Sequence, residues 1–178
     1  QIYGIKKYIE HSNNKNDIIL VDFFCMGTPT INLWNKYIDY IAQEKKVKRP
    51  FKEVLFRSKN DTDWHNYAVS IKDKKQNYLM KNATKNDLFF IFYLRKACLN
   101  EACYACRLRH DHVFSDIRLG DFWGDKYKNN TEGVTLVTLN TEKGKNVFEE
   151  IKPYINFEKS TFDDLINAQP LRFLKKHK

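Results

Sequence analysis

Three of the chain's four cysteines fall within nine positions, in the stretch LRKACLNEACYACRLRH at 94–110. The spacing C-x4-C-x2-C over Cys98, Cys103 and Cys106 puts three sulfurs on one short length of chain, with Cys25 far upstream. Three thiolates held close together repel one another unless a cation binds them, and four complete the closed tetrahedral sulfur set that suits zinc or an iron-sulfur cluster. No secretory context accompanies them, so metal binding or redox chemistry is favoured over a disulfide framework. The plain alternative is a set of unrelated thiols, with Cys25 packed in a strand.

The flanks suit an anionic centre. Arg95, Lys96, Arg107, Arg109, His110 and His112 surround the three clustered cysteines and would offset the charge of four thiolates. His110 and His112 could also replace a cysteine at zinc, although two exposed histidines in a basic loop is the commoner situation. The C-x4-C-x2-C spacing occurs in plant-type ferredoxins, but there the fourth cysteine lies downstream. A catalytic cysteine is disfavoured because no activating partner can be assigned.

Apolar patterning predicts strands mixed with helices, an α/β or α+β fold with a mixed sheet flanked by helices and one domain. QIYGIKKYI has apolar residues at helical spacing from the first turn, and the chain reads as a piece excised from a longer protein. DIILVDFF (17–24) is a continuous apolar run expected to be a strand buried on both faces, ending at Cys25. A turn follows, with Thr28 expected as N-cap and Pro29 at the first helical position. The helix carries a stripe of Leu33, Trp34, Tyr37, Ile38 and Ile41. The position of Cys25 just before that helix would favour a thiolate through the helix dipole. KEVLFRS, NYAVSIKD and QNYLM suggest three strands. TKNDLFFIFYLRKA (84–97) is a helix with Thr84 and Asp87 spaced as a capping box, and it runs into the cysteines. VFSDIRLGDF alternates as a strand, with Val113, Ser115, Ile117 and Leu119 on one side and Phe114, Asp116 and Arg118 on the other. GVTLVTLNT (133–141) is a strand, EKGKNVFEEIKPY a helix stopped near Pro153, INFEKS a short strand and TFDDLINAQ a last helix.

Composition excludes some classes. Hydrophobic residues make up 42% and charged residues 30% of the 178, a globular rather than a disordered balance. No apolar run approaches the roughly 18–20 residues that span a bilayer and no signal sequence opens the chain, so a cytoplasmic protein without a membrane span is expected. The net charge of +9 is spread over short runs such as EKKVKRP, KDKKQ and LKKHK, which read as solvated loops and argue against a nucleic-acid stripe.

The stretch SDIRLGDFWG (115–124) holds the other candidate positions. Phe122 and Trp123 could stack on a planar cofactor or pack in a core, and Asp116 and Asp121 could orient a ligand or cap a turn. Neither acid forms a catalytic dyad on sequence evidence, and no catalytic residue is assigned.

VDFFCMGTPTINLWNKYI, CLNEACYACRLRHDHVFSDIRLGDFWG and EGVTLVTLNTEKGKNVFEEI, in that order, resemble the C-terminal domain of the coenzyme F420 hydrogenase/dehydrogenase beta-subunit family. The resemblance spans about Gln1 to Ile151 and implies an iron-sulfur flavoprotein that passes electrons between a flavin, a 4Fe-4S centre and a partner subunit or deazaflavin. It implies Cys25, Cys98, Cys103 and Cys106 as cluster ligands and FAD in the full-length protein. A missing N-terminal domain, a redox partner protein and, for bacterial relatives, a link to polysaccharide synthesis are further implications. The chain departs from the family's usual pattern at Met26-Gly27, where His-Gly is usual, and at Arg118, where Thr is usual, which argues against a bound deazaflavin. Without its N-terminal part the piece is expected to lack oxidoreductase activity. The competing classes are a four-cysteine zinc module with a basic surface, and a metal-free interaction domain.

Overall fold

The computed structural model describes residues 1–12, 18–59, 64, 67–109 and 112–169. His110 and the basic tail at 174–178 lie outside these residues, and the side chain of Arg109 is likewise not described. The fold is mixed α/β, as the patterning predicts, with two small three-stranded sheets. The chain divides into two compact units. Of the described residues, those in Gln1–Met26, Cys106–Asn129 and 133–169 form unit 1, and those in Gly27–Ala105 and Asn130–Glu132 form unit 2.

Unit 1 opens with helix α1 (Ile2–His11) and strand β1 (Val21–Phe23). Its sheet has the order β1-β5-β6, with β5 (Ile117–Asp121) central, parallel to β1 and antiparallel to β6 (Thr135–Leu139). Parallel neighbours need a crossover connection, and here the chain between β1 and β5 contains the main segment of unit 2. The run at 17–24 is therefore not a strand buried on both faces: β1 is a three-residue edge strand with Val21 and Phe23 exposed. Helix α5 (Glu142–Ile151) is capped by Thr141, whose hydroxyl oxygen accepts from the Gly144 amide at 3.1 Å. A Cβ on Gly144 would stand 2.4 Å from the Asp116 carbonyl oxygen, so glycine permits this approach. INFEKS forms no strand; helix α6 (Phe162–Ala168) follows, with Thr161 and Asp164 in a reciprocal capping box. The core gathers Phe122, Leu136 and Ala168.

Unit 2 contains helix α2 (Ile31–Glu44) and an antiparallel sheet of β2 (Glu53–Lys59), β3 (Tyr67–Lys72) and β4 (Tyr78–Ala83), in that order. Tyr37, Ile38 and Ile41 bury the expected stripe of α2 against Val69, Ile71, Met80, Phe89 and Phe90. The cap is Thr30 rather than Thr28: its hydroxyl oxygen accepts from the Leu33 amide at 3.2 Å, while Pro29 is held in an isolated antiparallel bridge with Leu99. Helix α3 is shorter than expected, Leu88–Leu94, because Asp87 is itself the N-cap and Thr84–Asn86 form a separate 3-10 turn. The one-turn helix α4 (Glu101–Tyr104) follows. No helix among the described residues is long and apolar enough to cross a membrane.

Candidate functional site

Cys25 stands one residue before the end of the first segment of unit 1, and Cys106 begins the returning segment; Cys98 and Cys103 belong to unit 2. All four are free thiols, with Cys25 and Cys106 exposed and Cys98 and Cys103 half-buried.

Within unit 2 the two cysteines sit on a loop fixed by backbone hydrogen bonds. The chain turns out of α3 at Lys96, whose φ of 57° is left-handed. The Thr30 amide donates to the Cys98 carbonyl and the Asn100 amide to the Thr28 carbonyl, each at 2.9 Å. The Tyr104 hydroxyl donates to the Lys96 carbonyl at 2.7 Å and accepts from the Leu99 amide at 3.3 Å. This leaves the Thr28 amide to donate to Cys103 Sγ at 3.3 Å. Hydrogen bonds to the sulfurs are among the levers that tune an iron-sulfur cluster. The turn at Gly27 that presents Thr28 has φ 119°, a backbone state suited to glycine, and the Tyr93 hydroxyl donates to the Gly27 carbonyl at 3.2 Å.

Within unit 1, β1 and β5 carry the residues next to Cys25. The Phe24 amide donates to the Leu119 carbonyl at 2.8 Å, extending the parallel pairing up to the cysteine. Arg118, placed by sequence alternation on the side of Phe114 and Asp116, is 4% exposed. Its Nε and Nη2 donate to the two carboxylate oxygens of Asp22 at 2.9 and 2.7 Å, and Nη2 also donates to the Leu108 carbonyl at 3.3 Å. Sequence reading missed this pair; two opposite charges at paired register positions of strands flanking the cysteines were the available signal.

The candidate cofactor positions in SDIRLGDFWG have separate environments. Asp116 accepts the Leu20 amide at 2.8 Å on one oxygen and the Thr141 hydroxyl at 2.7 Å on the other, which joins β1, β5 and α5. Phe122 lies in the unit 1 core, edge-on to Tyr127 with ring centroids 4.8 Å apart. Trp123 is exposed. The Asp121 carbonyl accepts from the Gln169 side-chain amide. Of the two rings, Trp123 is the one presented to solvent. His112 stacks on Phe114, with centroids 5.9 Å apart.

The cysteine chemistry fits a thiophilic metal or cluster: four unbridged sulfurs, one of them already receiving an amide proton. Among the described residues no three His, Cys, Asp or Glu side chains are gathered into a ready metal site.

Over residues 1–164 the chain matches the family model for the C terminus of the coenzyme F420 hydrogenase/dehydrogenase beta subunit. The chain belongs to this family. No curated protein and no solved structure matched it. Membership in the F420 hydrogenase/dehydrogenase beta-subunit family makes the chain part of a redox subunit, and the C-terminal position of the matched region implies other domains or partners.

Proposed function

We propose that this chain is the C-terminal part of an iron-sulfur flavoprotein oxidoreductase in which Cys25, Cys98, Cys103 and Cys106 hold a 4Fe-4S cluster. The observation that carries the reading is the Thr28 amide donating to Cys103 Sγ on a loop braced by the Thr30–Cys98 and Asn100–Thr28 backbone hydrogen bonds and by the Tyr104 hydroxyl. When bound, the cluster would carry single electrons and FAD of the full-length protein would exchange hydride with the substrate side. The chain's own residues bind and orient: the cysteines supply thiolates, the Thr28 amide donates to one of them, and Arg95, Lys96 and Arg107 offset their charge. Trp123 is the candidate to stack on the flavin ring at the far end of β5, where the Asp121 carbonyl is held by Gln169, while Asp116 ties the start of that strand to the Leu20 amide and the Thr141 hydroxyl. A redox partner protein or subunit, and in bacteria a place beside polysaccharide synthesis, belong to the same proposal.

Zinc is the competing occupant because the same four thiolates suit it. Anaerobic purification with iron, acid-labile sulfide and zinc analysis and a visible spectrum separates the two. A brown protein with iron and sulfide supports the redox reading. A colourless protein with one zinc per chain replaces it with a structural module, and a protein with neither metal, whether or not reconstituted with iron and sulfide, removes both.

A further inference from the structure

We propose that Arg118 is the positioning and charge-setting residue for Cys25 and Cys106, holding the chain beside each cysteine with one buried guanidinium. The inference rests on the four-cysteine reading above. Three contacts within unit 1 carry it. The bidentate pair to Asp22 fixes β1 three residues before Cys25. The Phe24 ring, adjacent to Cys25, lies with its centroid 5.5 Å from the Arg118 guanidinium carbon. The Leu108 carbonyl, two residues after Cys106, accepts from Nη2. One planar, permanently charged group therefore fastens the chain at both unit 1 cysteines, which a lysine's point charge does less well.

Asp22 is held in turn. The Ser115 hydroxyl donates to Asp22 Oδ1 at 2.6 Å, and the Asn140 side-chain amide donates to the Ser115 carbonyl at 3.3 Å. Such a network has one satisfied arrangement, so it fixes direction as well as distance. Cluster potentials respond to nearby net charge: a cation favours the more negative reduced state and an anion disfavours it. The Arg118 and Asp22 charges should therefore act on the potential with opposite signs, whereas a purely structural role would move both variants the same way.

The test compares wild type, Arg118→Met, Arg118→Lys and Asp22→Asn in the full chain, reconstituted anaerobically, by redox titration of the visible absorption. The expected result is a lower midpoint potential in Arg118→Met and a higher one in Asp22→Asn. Each shift should reach at least a tenfold change in the reduced-to-oxidised ratio at fixed potential, about 59 mV for one electron. Arg118→Lys should lie nearer wild type. If Arg118→Met does not fold, the upward shift in Asp22→Asn with Arg118→Lys near wild type still decides it. Iron bound equally by all variants with unchanged potentials, or Asp22→Asn shifting downward, overturns the role of Arg118 alone. A wild-type chain that takes up no iron overturns the four-cysteine reading and this role with it.

Discussion

Replacing Asp87 by alanine should destabilise unit 2 by about 2–4 kcal/mol, because one buried carboxylate performs two tasks. Asp87 is 1% exposed, its Oδ1 accepts the Phe90 amide at 3.2 Å as the N-cap of α3, and its Oδ2 accepts the Tyr37 hydroxyl at 2.7 Å. Loss of an N-cap costs about 0.5–2 kcal/mol, and a buried hydroxyl left with only the weak thioether acceptor of Met80, 3.6 Å away, costs a further ~1–3 kcal/mol. Burial, followed by the hydrogen bond to Asp87, raises the Tyr37 hydroxyl above the ordinary tyrosine range, so it stays a donor at any working pH. The second cost disappears when Tyr37 is phenylalanine. Urea unfolding followed by fluorescence suits the assay, since Trp34 packs 5.9 Å from Tyr37 in the same core. The Asp87→Ala/Tyr37→Phe double variant should be less destabilised than the sum of the singles by about 1–2 kcal/mol. Asp87→Asn, which can cap and accept, should be much milder than Asp87→Ala. Additivity of the two singles within about 0.5 kcal/mol would refute the reasoning. The site has a stake in the outcome because α3 delivers the chain to Lys96 and Cys98.

Two further changes probe unit 1. Gly144→Ala should destabilise by about 1–3 kcal/mol in thermal or urea unfolding despite the better helix propensity of alanine, since the new Cβ meets backbone at Asp116 rather than a yielding side chain; a gain in stability would show that α5 can move off β5 freely. The Asp164 carboxyl is held down to about 2, first by the Thr161 amide and then by the Ser160 and Thr161 hydroxyls, against 3.8 when free. Its contribution to the α6 cap is therefore present above about pH 4 and fades as pH falls through 2. An NMR titration of the Asp164 carboxyl carbon should show that low midpoint, and a midpoint near 3.8 would mean that the capping box does not hold it.

Local patterns carried the sequence reading furthest. The stripe of α2, the three strands of unit 2 and the helices capped by Thr141 and Thr161 follow from spacing and end chemistry that neighbouring residues determine. Choices set by distant partners were not legible. Thr28 and Thr30 are equivalent caps on paper, and the backbone bridge from Pro29 to Leu99 selects Thr30. DIILVDFF has the composition of a central strand but lies at the sheet edge, because Val21–Phe23 pairs with β5 alone. Alternation puts Arg118 on the side of Phe114 and Asp116 but does not show that it is buried, which follows from Asp22 meeting it across the parallel register. INFEKS has strand-like residues and finds no partner strand among the described residues. For the site, the cysteine count and spacing were plain from sequence, whereas the amide that supports Cys103 depends on the turn at Gly27.

The central claim is that four cysteines act as one ligand set, and iron and sulfide analysis of the Cys25→Ser, Cys98→Ser, Cys103→Ser and Cys106→Ser series, prepared anaerobically beside wild type, tests it most directly. The account predicts about four iron and four sulfide per wild-type chain and a large loss of both in every single variant, Cys25→Ser included. Retention of the full complement after Cys25→Ser, or stoichiometric zinc in place of iron throughout, would contradict it.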